Sequence, residues 1–231
     1  MTRSVIAKRL SRRRRYVKGN GQRPTGGRRP PLARALAQLR RIKQRFARYI
    51  GKTYGHLAAD CATCPTPCCA DAQFVNVHIV RLEAKAMLAT LQHSPKYGPA
   101  KVREVLARAA DAIARYGLTE TGDTFGQTYA CPLFEPGVGC LVHWKAKPAA
   151  CIQHGCYERW EDLPETGTQR RVERQVAALD AAVHGAPSTW LPIPLWLLRA
   201  ADEADESLDF RDEAEPPPRV QTAREGFASL D

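Results

Sequence analysis

Four of the chain's eight cysteines fall within nine positions, in the run CATCPTPCC at residues 61–69. The other four, Cys131, Cys140, Cys151 and Cys156, follow a gap long enough for a strand and two helices. A fold built on this chain must either gather two distant thiol groups or keep two separate ones. Cys61 and Cys64 form a C-x-x-C pair, the shortest spacing that lets two thiolates grip one metal while backbone amides turn toward the sulfurs. Pro65 then fixes the exit of the turn. Cys68 and Cys69 are neighbours, and adjacent side chains point to opposite faces of an extended segment or diverge by about 100° on a helix. One tetrahedral ion has difficulty using both, whereas two nearby sites or one larger cluster use both naturally. Eight thiolates satisfy two closed four-cysteine sites, and His78, His143 or His154 could stand in for any one of them.

Compartment decides whether such thiols become disulfides or ligands. The start, MTRSVIAKRLSRRRRYVKGNG, has a positive flank but no apolar stretch of the length a secretory signal needs. Its Arg-rich, acid-free character also fits a mitochondrial presequence. The longest greasy stretch, WLPIPLWLLRA, is short and broken by Pro192 and Pro194, so no membrane span is expected. The expectation is a cytoplasmic protein, and in a reducing compartment dense cysteines read as metal ligands before they read as disulfides.

Charge divides the chain. The first 52 residues hold 18 Lys and Arg and no acid, while the remainder holds 17 basic against 24 acidic residues, a balance of −7. An acidic body with a basic arm points to a tail with its own partner. Residues 1–29 are Arg-, Gly- and Pro-rich and are expected to be a disordered basic arm. Residues 30–52 then read as a basic amphipathic helix. It starts on Pro30 and Pro31, stops at Gly51, and carries Leu32, Leu36, Leu39, Ile42, Phe46 and Ile50 as its apolar stripe. Arg34, Arg40, Arg41, Arg45 and Arg48 mostly take the other faces. Such a helix either docks on the body with a solvated basic face or offers phosphate contacts to nucleic acid or an anionic lipid surface. The arm lacks interleaved aromatics, so nucleic-acid contact through residues 1–52 is expected to be weak and non-specific.

Between 53 and 160 the spacing predicts a cysteine-cluster metal-binding domain. FVNVHIV alternates and reads as a short strand, RLEAKAMLATLQ as a helix closed by the turn HSPKYGP, and PAKVREVLARAADAIARYG as a helix stopped by Gly117. Residues 118–165 are loop-rich. A C-terminal helical segment is expected over 161–208, with Val172, Val176, Leu179 and Val183 in helical register. The acidic, Pro-containing tail at 209–231 is expected to be disordered. The fold class predicted is α+β and mostly helical: a small loop-rich cysteine domain with flanking helices and disordered tails.

CATCPTPCC, followed later by CPLFEPGVGCLVHWKAKPAAC, resembles the bacterial YkgJ-like cysteine-cluster family, whose signature is C-x2-C-x3-C-C. The resemblance covers roughly residues 55–158. Its later positions match Cys131 before Pro132, Leu133 and Phe134, then Gly139-Cys140, then Lys147-Pro148-Ala149-Ala150-Cys151. Lys147 stands where the family has Arg, which keeps the charge but loses the planar fork of donors. His143 stands where it has Tyr, and Cys156 lies outside the shared pattern. The resemblance implies zinc or iron chelation, and flagellin lysine methylases carry a related cluster.

The function expected is therefore metal binding by Cys61, Cys64, Cys68, Cys69, Cys131, Cys140, Cys151 and Cys156. The cofactor is zinc or an iron–sulfur cluster, in a structural or redox role, with Lys145 and Lys147 offsetting thiolate charge. The spacing does not match the ferredoxin run. The rival classes are a cluster-dependent protein-modifying enzyme and an interaction module that uses the basic arm on nucleic acid. No Gly-rich phosphate loop, paired-carboxylate motif or nucleophile signature supports the enzyme, and no catalytic residue is assigned.

Overall fold

Helix α1, Leu32–Tyr54, begins directly after Pro30-Pro31 and lays Ala35, Leu39, Ile42, Phe46 and Ile50 into the protein. It runs one turn beyond the stop expected at Gly51 and is closed by Gly55, whose N–H donates to the Gly51 carbonyl. The reason is tertiary. Ile50 and Tyr54 continue the packed face across Gly51, and that contact outweighs the roughly 1 kcal/mol a mid-helix glycine costs. This computed structural model describes residues 29–59, 68–70, 72, 75–143, 145–154, 156–157 and 159–203. The expectations for the basic arm (save Arg29) and for the tail at 209–231 fall outside the described residues.

Five more helices follow among the described residues: α2 (Arg81–Gln92), α3 (Gly98–Tyr116), α4 (Ala149–Gln153), α5 (Thr166–His184) and α6 (Ile193–Asp202). Three antiparallel two-residue ribbons join them. Strand β1 (Ala58–Ala59) pairs with β5 (Cys156–Tyr157), β2 (His78–Ile79) with β6 (Leu191–Pro192), and β3 (Phe134–Glu135) with β4 (Gly139–Cys140). The fold is mostly helical with small sheets. No helix among the described residues is long and apolar enough to cross a membrane.

Helices α3 and α5 end where their glycines say they should. Gly117 and Gly185 take left-handed backbone at φ 61° and 82°, which a side chain with a Cβ resists. The FVNVHIV strand is shorter than its alternation suggests. Only His78 and Ile79 pair, because the partner strand turns into helix α6 at Ile193.

Two apolar cores result. The first packs α2, α3 and α6 with Val75, Ile79, Tyr129, Leu133, Leu141 and Val142. The second packs α1 on α5, with Val80, Leu82 and Ala149 between them. Both cores draw residues from either side of position 160, so the cysteine segment and the C-terminal helices share their packing. Tyr129 locks the first core internally. Its hydroxyl donates to the Val77 carbonyl and accepts the Ile193 N–H at 3.1 Å.

Candidate metal centre

The two cysteine groups meet at one hydrogen bond. The backbone N–H of Cys131 donates to the carbonyl of Cys69 at 2.8 Å, which fastens the 3-10 turn Cys68–Ala70 to the entry of the β3–β4 hairpin. The hairpin then sets Cys140. Cys140 pairs with Phe134, and the adjacent Leu141 N–H donates to the Leu133 carbonyl at 2.9 Å. Its turn requires left-handed backbone at Gly137 and Gly139, which explains the glycines of EPGVGC. Cys151 arrives on α4, whose start is fixed by Pro148 and whose Ala149 and Ile152 rest on the second core. Cys131 and Cys140 pack against the first core. Among the described residues, Cys69, Cys131, Cys140 and Cys151 therefore lie about the seam between the two cores.

Burial and neighbouring charges both bear on these thiols. Cys131 has its thiol pushed well above the usual range, first by burial and then by the neighbouring Cys151, Cys140 and Cys69. Burial also raises Cys140, against the pull of the Val142 backbone and of Lys147. Cys151 is pushed up to about 12, with burial the largest cause; Lys147 and Lys43 oppose it, and Cys140 and Cys69 add to it. Cys131 and Cys151 thus each lie within electrostatic reach of Cys69 and Cys140. All three of Cys131, Cys140 and Cys151 are thiols, partly accessible at the surface.

Two lysines supply positive charge. Lys147 acts on Cys140 and Cys151 and also holds down the basicity of His143 and His154, after the loss of hydration that is the larger cause for both rings. Lys145, by contrast, is exposed. The second cation, Lys43, was not visible as a site residue in the sequence. It lies on the buried face of α1, its ammonium 2.8 Å from the Glu83 carboxylate and donating to the Ala146 carbonyl at 3.2 Å. The available signal was a lysine placed next to Ile42 and one turn before Phe46, inside the apolar stripe.

The remaining candidates divide. His78 is built into the fold, its Nδ1 at 3.1 Å from the Asn76 carbonyl, its Nε2 at 3.0 Å from the Thr124 carbonyl, and its ring stacked on Phe125 at 4.4 Å. A ring flanked by two carbonyls has no nitrogen to offer a cation. His143 and His154 are exposed near the second cysteine group. Cys156 has a described backbone, paired with Ala59. Cys61 and Cys64 lie outside the described residues. Among the described residues, no three His, Cys, Asp or Glu side chains stand close enough together to hold a metal ion.

No family model matches the chain, and no curated protein or solved structure matches it.

The donor chemistry nonetheless fits a soft cation. Sulfur donors predominate, and the mutual repulsion that adds to burial in raising Cys131 and Cys151 would give way to attraction once a cation stood among the thiolates. A cation would turn this neighbourhood from one that keeps thiols protonated into one that holds thiolates.

Proposed function

We propose that this is a metal-binding protein of the YkgJ-like type, in which thiolates from both cysteine groups hold zinc or an iron–sulfur cluster. The observation that carries the reading is the Cys131 to Cys69 hydrogen bond, with Cys140 and Cys151 in the same electrostatic neighbourhood. Cys61 and Cys64 are assigned to the same set by their C-x-x-C spacing. Cys64 and Cys68 complete the C-x3-C spacing, and Cys156 is the eighth donor. The ion's role is structural or redox: it ties residues 61–69 to the seam between the cores. The protein works in the cytoplasm.

The test separates ligation from disulfide chemistry. Structural zinc contributes roughly 10–16 kcal/mol in small hosts, which rivals the net stability of a whole domain. Chelator alone should therefore expose residues 55–158 to protease in reducing buffer, and acid should act the same way because protons compete for thiolates. Loss of protection under reductant alone, with indifference to chelator, would establish disulfides instead.

A second reading has its own support. Arg34, Arg41, Arg45 and Arg48 on α1 are exposed, and no carboxylate among the described residues pairs with them. Residues 1–52 then bind a polyanion, such as nucleic acid, beside the metal site. The enzyme reading has no comparable observation behind it.

A further inference from the structure

A groove of about 450 Å³ runs between α1 and α5. Its floor is apolar, made by Ile42, Phe46 and Val172. Arg45 rises from one wall and Arg171 from the other, with Tyr49 beside Arg45. No acidic side chain lines it, and neither arginine has a carboxylate partner among the described residues. Tyr49 is 43% exposed, and the ring of Tyr54 meets it edge-on at 6.2 Å. Arg174, one turn on from Arg171, is exposed as well.

We propose that this groove binds single-stranded nucleic acid, with Arg45 and Arg171 taking phosphates from opposite walls and Tyr49 stacking an unpaired base. The proposal rests on the polyanion reading of residues 1–52 and adds α5 and a base-binding surface to it. Charge complementarity argues for a polyanion: α1 contains no acid, and the 31 residues preceding it contain none either. The apolar floor and exposed ring distinguish single strands from duplex, since a duplex hides its base faces and needs only cations. An anionic membrane is disfavoured by the same helix. A membrane-lying helix must spend its apolar face on lipid, and that of α1 is buried in the second core. An acidic peptide would meet the arginines but has no general use for the stacking ring.

Fluorescence anisotropy of labelled oligothymidine and of a duplex of equal length, with the full chain across a salt series, tests this. The wild type should prefer the single strand. Tyr49→Ala should weaken single-strand binding roughly tenfold while leaving duplex binding nearly unchanged. Arg171→Gln should flatten the dependence of log affinity on log salt by about 0.7. Both positions are exposed, and equal thermal unfolding of the variants verifies that the fold is intact. If both variants bind as the wild type does, while Gln at Arg12, Arg13, Arg14 and Arg15 abolishes binding, the arm reading stands and the groove proposal falls. Failure to bind either polymer overturns both. Tighter binding to a poly-glutamate peptide or to phosphatidylserine vesicles than to the single strand also overturns the groove proposal.

Discussion

Lys43 occupies a position where the spacing of α1 calls for a hydrophobic side chain, and its charge is met by Glu83 at 2.8 Å with both groups buried. The pair bridges α1 to the first turn of α2, where a Glu83 oxygen also accepts the Val80 N–H at 3.2 Å. Removing one partner leaves a buried charge uncompensated, so Lys43→Met should cost about 3–5 kcal/mol in urea unfolding. Pairing it with Glu83→Gln, which keeps an acceptor for Val80, should recover a large part of that loss. A loss in the double variant equal to the sum of the two single-variant losses would show that the pair is not coupled. His184 makes a pH prediction. Its imidazole, buried at Nε2 and 3.6 Å from Asp180, is less basic than usual, burial being the largest cause and outweighing the pull of Asp180. The unfolded chain therefore binds this proton more readily than the native one. Stability from this group is complete above the ordinary histidine range near 6.5 and declines as pH falls from there toward the depressed native value. His184→Gln should flatten that part of the stability profile, and an unchanged profile would contradict the assignment.

Among the elements, α2, α3 and α5 were legible because each combines an apolar period with a turn or glycine at its end. Three features were hidden. Helix α6 follows directly on Pro192 and carries Pro194 at its second position, where a missing N–H costs nothing, so prolines that read as breakers open a helix instead. The end of α1 was hidden because packing of Ile50 and Tyr54 overrides the glycine between them. The tie between α5 and α2 was also illegible, since it joins residues 98 apart. Asp180, fully buried, accepts the Leu82 N–H at 2.9 Å and the Ser188 N–H at 3.0 Å. It thereby caps the start of α2 with a charge of the favourable sign. Asp180→Ala should cost about 3 kcal/mol by leaving the buried Leu82 N–H and the half-buried Ser188 N–H unmet. Gly185→Ala should cost about 1–2 kcal/mol, because the end of α5 needs left-handed backbone at φ 82°. Thermal unfolding of each variant checks these, and a Gly185→Ala protein as stable as the wild type would show that the turn relaxes.

At the scale of the whole molecule, the cysteines announced a site but not its setting. Sulfur donors in two groups are legible as residue types; that the groups meet at a seam between two cores depends on contacts across more than 60 residues. Lys43 and the exclusion of His78 depended on packing in the same way. If thiolates at this seam hold a metal, the cores are joined through it. Cys131→Ser and Cys151→Ser should then lower bound metal and loosen residues 55–158, and with them the helix at 166–184 that shares the second core. The most direct measurement is metal content of anaerobically purified protein, with X-ray absorption at the metal edge to count sulfur neighbours. The account predicts zinc or iron in a shell dominated by sulfur, with zinc–sulfur distances of about 2.3 Å if the ion is zinc, and loss of that metal in Cys131→Ser. Protein that is folded and protease-resistant without metal, or metal bound through nitrogen and oxygen alone, would contradict it.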